Sequence, residues 1–541
     1  MTLRPSLALL LASLASASTL SAQDPHAHHE GPERLGRVSF ETSCNEVAQQ
    51  RFERALALLH SFWWSEADRA FTAVTEADPD CAIAYWGSAL VARGNWFAGP
   101  PGAPAVARGL EAAERGLALD PGTARERAFL EATAALFRDA GTMDHRARTL
   151  AYEERMRALH ESDPEDVEAA VFYALSVTAN ALPTDRTFER QRRAGAILER
   201  HFESHPDHPG LAHYLIHTYD APPIAHLGED AARKYGEIAP SVPHAQHMPS
   251  HIFTRLGLWR ESIRANSASA ESAREYEVRE GMDAVSFDRA HAWDYLVYAY
   301  LQQGQDGAAR EVLDTVRNAT AAPSIATDYA FAAIPARLAL EREVWADAAS
   351  LAVRPSPGFL PGEAITRFAR GIGAARAGDV AAARREIPAL EAIRDSLDAR
   401  GDTYWREIVD AQRLAVEAWV SLRDGETDRA LEMIAAAADI EERVDKHPVT
   451  PGPILPSREL EGDMLLLLER PGDAHRAFVA TLRTDPNRAR SLFGAARAAE
   501  AAGMQAEARE YYEKFVAQMA PADTQRPQLE RARRYLATGD E

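Results

Sequence analysis

The sequence is short of several things, and each shortage narrows the class of protein. No convincing run of alternating β-branched residues is present, so a sheet-built fold is not expected. Only two of the 541 residues are cysteines, too few for a disulfide framework. Beyond the N-terminus, no stretch approaches the roughly 18 continuous apolar residues of a membrane-spanning helix. A P-loop, a glycine-rich dinucleotide turn and a nucleophile elbow are all missing. So is His-Glu-x-x-His, which removes the built-in glutamate base of a zinc protease and leaves a peptidase unsupported. Cationic charge is also in deficit. A formal net charge of -21 disfavours nucleic acid or an anionic membrane surface as a partner, and otherwise reflects solvated helix faces.

What remains is abundant Ala, Leu, Arg and Glu, all good helix formers. At 541 residues the chain is too long for one compact core and suits two domains or one extended repeat array. Residues 1–22 have the pattern of a secretory signal peptide: Arg4, an apolar run from Leu7 to Leu14, then small residues ending Leu20-Ser21-Ala22. Cleavage is expected after Ala22, with Ala17 as the alternative. No cysteine follows the apolar run, so a lipoprotein anchor is not indicated. The mature chain is therefore expected to be exported, periplasmic or secreted. In an oxidising compartment Cys44 and Cys81, which flank one helical hairpin, are expected to form a disulfide. Two buried free thiols and a cysteine metal site are the alternatives.

Residues 23–38 are polar, with His26, His28 and His29, and are expected to form a disordered leader. Helix-turn-helix units begin near Ser39, where Ala67, Phe71 and Asp78-Pro79 mark a second helix and its end. Asp120-Pro121 and Glu161-Ser162-Asp163-Pro164 mark further boundaries. The units divide into an N-terminal array (39–345), middle helices (346–446), a proline-rich connector (447–456) and C-terminal repeats (457–541). In the last of these, Ala474, Phe478 and Pro486 recur one repeat later as Ala508, Tyr512 and Ala520-Pro521. The fold class expected is all-α, an α-solenoid in which each helix pair buries its apolar face against the next.

One stretch stands out, from His213 to Trp259. His213 and His217 are four apart, as are His247 and His251, and the second pair repeats the first position for position (213 to 247, 217 to 251). A spacing of four puts both side chains on one helical face. The interval between the pairs is the period of the tetratricopeptide unit. Counting back from the turn residues Pro223, Gly257 and Gly304 places His213, His217, His244, His247, His251, His291 and Asp294 on one stripe of three consecutive first helices. Asp220 lies one turn beyond His217. His244 and Asp220 are the weakest members. For His244 the reason is Ser241-Val242-Pro243, a candidate helix start. Pro249 also removes a backbone donor and either kinks the helix or delays its start, which would leave His244 and His247 in a loop.

Across most of its length the chain resembles tetratricopeptide repeat (TPR) proteins. It is more closely similar to secreted bacterial TPR proteins carrying a His-x-x-His-Met-Pro-Ser-His-Ile-Phe block, here His244 to Phe253. The resemblance implies that the stripe faces the concave groove and contacts ligands. It also implies a His-x-x-His pair in the next repeat, replaced here by His291-Ala292-Trp293-Asp294. It supports the architecture and the site rather than a reaction.

Imidazoles and carboxylates are the usual ligands of zinc, copper, iron and manganese, among which the sequence does not distinguish. Four His with one or two Asp fill one site or seed two. Clustering unpaired His in a buried groove is otherwise costly. Metal affinity is expected to fall as pH drops through about 6.5, where free imidazole takes up a proton. His60, His201, His205, His208 and His226 read as ordinary hydrogen-bonded groups. The aromatic runs Phe62-Trp63-Trp64, Tyr85-Trp86 and Trp96-Phe97 fit packing between helices or the lining of a groove. Three functions compete: a metal-binding scaffold or metal-handling protein, a metal-dependent hydrolase or oxidase, and a metal-free groove for a peptide or protein partner. Fold alone does not license the enzyme, and binding is favoured.

Overall fold

The structure is a computed structural model and describes residues 33–538, apart from Pro183 and Pro357. The signal peptide and most of the histidine-bearing leader lie outside the described residues. Among the described residues α-helices follow one another from Glu46–His60 to Pro527–Thr538, joined by turns and a few longer segments such as 445–456, with one isolated β-bridge between Val285 and Ala321. None of these helices is long and apolar enough to cross a membrane.

Local chemistry sets the helix ends where the sequence suggests. Side chains of Asn45, Asp144, Asp166 and Ser286 accept from the first free backbone N–H groups of their helices, and Thr123 with Glu126 forms a reciprocal capping box. Helices stop at Ala77, Ser162 and Thr484, just before Asp-Pro pairs, because proline disfavours helical backbone in the residue it follows. Ordered structure begins earlier than expected, inside the segment assigned to the leader. Leu35, Val38 and Phe40 are buried, and Arg37 N–H donates to the Asp207 carbonyl at 2.9 Å. Leu35 and Val38 lie within that otherwise polar segment, and Phe40 just beyond it.

Cys44 and Cys81 are joined, their Cα atoms 4.9 Å apart across the base of the first hairpin. The hairpin helices Glu46–His60 and Trp64–Ala77 return the chain to its starting point, which brings the two sulfurs together.

The array also returns on itself. Gly257 and Gly304 end first helices with φ of +65° and +70°, left-handed values that glycine adopts without penalty. A Cβ at Gly257 would lie 2.2 Å from the Pro486 carbonyl oxygen, and one at Gly304 would lie 2.8 Å from Met519 Sδ. The Trp259 indole donates to the Asn487 carbonyl at 2.9 Å, and Asp523 N–H donates to the Gly304 carbonyl at 3.3 Å. The C-terminal repeats thus seat their turns against the turns of the histidine-bearing repeats, far earlier in the chain. Buried charge reinforces the closure. Arg488 bonds Glu459 and Glu341 and donates to Tyr298 Oη at 3.0 Å, and Arg526 pairs with Asp306.

Two expectations follow. Removing the disulfide, which closes 37 residues, lowers stability by about 3–4 kcal/mol by loop-closure entropy, read as a lower melting temperature of C44S/C81S. Gly257→Ala destabilises more than Gly378→Ala. Both positions have positive φ, worth about 1 kcal/mol, but Gly378 has open space around it where Gly257 meets backbone. Equal losses in melting temperature would show that the returning repeats do not rest on Gly257.

Candidate metal centre

Three consecutive repeats build the centre. Pro209–Tyr219 carries His213 and His217, and Phe287–Gln302 carries His291. Between them the chain forms two short helices, Pro243–His247 and Pro249–Arg255, with Met248 still helical in backbone (φ -52°, ψ -37°). Pro249 therefore interrupts the hydrogen-bond ladder without unwinding the chain, and His244, His247 and His251 remain together.

The histidines gather into two groups of three rather than one. His213, His217 and His244 form one, and His247, His251 and His291 form the other; within each, the nearest nitrogens lie within 4.8 Å of one another. The groups are adjacent, with the His217 and His251 ring centres 6.3 Å apart and those of His244 and His247 6.4 Å apart. His213, His247, His251 and His291 are at most 5 % exposed.

Hydrogen bonds fix which nitrogen carries the proton. Asn266 Nδ2 donates to the Ser262 carbonyl at 2.8 Å, which leaves its Oδ1 to accept from His247 Nδ1 at 2.6 Å. His251 Nδ1 donates to Asp220 Oδ2 at 2.9 Å, and His213 Nδ1 donates to the His60 carbonyl at 2.6 Å. All three rings therefore present a bare Nε2 inward. His247 Nε2 and His251 Nε2 face each other at 3.1 Å, lone pair against lone pair. Tyr295 does not relieve this, since its hydroxyl sits 3.5 Å from His251 Nε2 and donates to the Thr450 carbonyl at 3.0 Å. His213 Nε2 lies 3.2 Å from His244 Nε2, where a proton on His244 can fill the gap. The buried atoms His217 Nε2 and His291 Nδ1 have no protein partner.

Protonation offers no escape at neutral pH. Burial, with the neighbouring imidazoles, holds His213, His217, His247 and His291 well below the ordinary value of 6.5, and holds His244 at about 3. Burial also lowers His251, although Asp220 opposes it.

The carboxylates take other roles than the one expected of them. Asp220 holds a ring of the cluster from behind: besides His251 it accepts from Arg255 Nε at 2.9 Å and Lys446 Nζ at 3.1 Å. Burial pushes its carboxyl up, but Lys446, Arg255 and His251 outweigh that and hold it well below the usual range. Asp294 joins neither group. Its Oδ1 accepts from Arg337 Nε at 2.9 Å, because that fully buried guanidinium needs a counter-charge. His60, Glu168 and His208 form a third cluster that is already closed. Each imidazole donates from Nε2 to one Glu168 oxygen, at 2.9 and 3.0 Å, while Tyr214 Oη and Leu211 N–H satisfy the two Nδ1 atoms. Neither imidazole keeps a free lone pair there, unlike the rings of the other two groups.

The site also holds residues that spacing did not reveal. Phe97 stacks on His217 with ring centres 4.3 Å apart, and Phe62 meets His213 at 4.5 Å. Two of the aromatic runs thus line the centre, while Trp86 packs among Phe40, Phe52 and Phe129. Asn266, Arg255 and Lys446 carry no spacing signal at all; only the fold brings them to the histidines.

No protein-family model matches the chain, and no curated protein matches it in sequence. Solved structures with helical repeats are similar at a distance. Human IFIT1 dimer with PPP-AAAA shares 12% identity over 77% of this chain and 87% of that one, with a TM-score of 0.35. The APC/C hetero-tetramer Cut9–Hcn1 shares 12% over 91% and 90%, with a TM-score of 0.31. The TPR domain of P58(IPK) shares 15% over 92% and 99%, with a TM-score of 0.19. What the chain's own helices and side chains define is an all-α solenoid with paired three-histidine groups in its interior.

The buried neutral imidazoles set a pH dependence for the metal-free protein. Their folded pKa values lie below the unfolded value of about 6.5, so stability is full above that pH and is lost as pH falls through it, because the unfolded chain then binds more protons. Each histidine contributes a slope of up to about 1.4 kcal/mol per pH unit. Chelator-treated protein is expected to lose melting temperature steeply from about pH 6.5 to 5, and His247→Ala/His251→Ala to lose it less steeply. A flat profile in the parent protein would contradict neutral burial.

Proposed function

We propose that this is an exported TPR-like protein that binds one or two transition-metal ions between three consecutive repeats, as a metal-handling or metal-supported scaffold. His247, His251 and His291 form one ligand set, and His213, His217 and His244 the other. The observation that carries the reading is the 3.1 Å approach of two bare Nε2 atoms whose Nδ1 protons are committed to Asn266 and Asp220. Two nitrogens on one tetrahedral zinc, each about 2.0–2.1 Å from it, lie roughly 3.3 Å apart. A cation removes the lone-pair conflict that neither tautomer does. Imidazoles alone suit zinc, copper, nickel or iron better than magnesium, calcium or manganese. Asn266, Asp220 and the His60 carbonyl do what outer partners of metal-bound histidine do, fixing the tautomer and orienting the ring.

A metal-dependent enzyme is the second reading, and one observation favours it. Three protein ligands leave a fourth position open, as in catalytic rather than structural zinc sites. His247, His251 and His291 would hold such an ion, which would supply a water of lowered pKa as nucleophile near neutrality.

Elemental analysis of untagged mature protein tests the reading. One or two metal ions per chain are expected in the parent. His247→Ala is expected to lose one, and Asp220→Asn to bind more weakly by about 10–100-fold. Because burial keeps the free imidazoles deprotonated, the metal is expected to stay bound at about pH 6 and to leave only well below it. A parent protein that takes up no zinc, copper, nickel or iron would overturn the proposal.

A further inference from the structure

The solenoid holds a second site, whose wall includes Arg255 and Lys446 of the Asp220 network but none of the histidines of the cluster. A cavity of about 560 Å³ lies between the middle helices, the segment 445–456 and the returning C-terminal repeats. That volume falls in the range of small-molecule sites. Its apolar wall comes from Tyr329, Ile365, Phe368, Tyr404, Trp405 and Ile408. Trp405 and Tyr404 present faces at nearly right angles, with ring centres 5.0 Å apart.

The polar side of the cavity is built of acceptors. Glu441 lines it, and its two oxygens accept only from Ser457, from N–H at 2.7 Å and from Oγ at 2.9 Å. Asp485 lines it too, with one bond from Thr484 Oγ1 at 2.8 Å. Among the described residues neither carboxyl has an ion pair. Three cations on the wall are committed elsewhere: Arg255 to Asp220 and Asp445, Lys446 to Asp220, and Arg458 to Asp439, Glu442 and Glu461. Arg186 donates to the carbonyls of Glu442 and Arg443, and Arg483 is exposed. Gln412 adds an amide whose oxygen has no protein partner.

We infer that this cavity binds a small organic amine in its ammonium form, with an aromatic or branched apolar body packed against Trp405 and Tyr404 and its charge at Glu441 and Asp485. Two neighbouring carboxyls without a counter-ion, in a wall of aromatic faces, match such a ligand on both counts. The ammonium supplies the missing charge, and aromatic faces attract cations. A carboxylate ligand would meet like charge, and a neutral one would leave both carboxyls uncompensated. The electrostatics agree. Burial, with Asp485 and Glu442 nearby, pushes Glu441 up to about 7 against the bonds from Ser457. Burial raises Asp485 as well, although the more distant charges of Arg488 and Arg255 oppose it. The inference does not depend on metal at the histidines.

The test is calorimetric titration of the full chain with 4-phenylbutylamine, 4-phenylbutanol and 4-phenylbutyrate, which share one apolar body. The amine is expected to bind at least tenfold more tightly than either analogue. Its affinity should rise from pH 6 to pH 8, as Glu441 loses its proton while the amine keeps its own. Glu441→Gln is expected to bring the amine down to the level of the alcohol, and Asp485→Asn to weaken it several-fold. Trp405→Ala should weaken all three ligands alike. Chelator-treated and metal-loaded protein are expected to behave identically, which separates this site from the histidine centre. Equal affinity for the three compounds, no binding of the amine, or full amine preference in both carboxyl variants would overturn the inference.

Discussion

Asp220 is the group on which the centre depends. It sits at the end of the Pro209–Tyr219 helix and gathers His251, Arg255 and Lys446, while Arg255 reaches on to Asp445. A buried carboxylate survives only when surrounded by donors, and here those donors come from the next repeat and from a segment near the far end of the chain. One residue therefore fixes the ring of a candidate ligand, the crossing of two repeats and the position of the segment 445–456. Because His251 must give its Nδ1 proton to Asp220, its Nε2 is left bare, and the electronic character of the whole cluster follows from that.

Much of this was readable in the linear sequence, because it rested on periodicity. The spacing of four within each pair, and the tetratricopeptide period between pairs, place His213, His217, His247 and His251 together without reference to coordinates. The Asp-Pro stops and the turn glycines Gly257 and Gly304 locate helix ends because proline and positive φ impose the same local geometry in any context. The disulfide follows from the return of a hairpin. His291 and His244 came from the same counting, and both stand among the six.

What was hidden depends on neighbours distant in sequence. Asp294 shares a stripe with His291, but Arg337 comes from another helix and takes it as a counter-ion, which no spacing within 287–302 discloses. Asp220 reads as a ligand by position, yet its oxygens are taken by His251, Arg255 and Lys446. The division of six histidines into two groups cuts across the Met248–Pro249 break, since His244 and His247 share one short helix and join different groups. Asn266, Lys446 and the cavity around Trp405 belong to elements whose adjacency arises from the superhelical return alone.

That return changes the kind of molecule this is. An open solenoid is nearly one-dimensional: each repeat feels only its neighbours, folding can begin anywhere, and stability grows by addition. Seating Pro486 and Asn487 on Gly257, and Ala522 on Gly304, introduces contacts of very long sequence separation into an otherwise local architecture. Such contacts raise contact order and slow folding, since a long loop must close before they form. In exchange, the repeats lose their independence. These contacts tie the C-terminal turns to the histidine-bearing repeats, so unfolding is expected to be shared between them instead of fraying inward from one end.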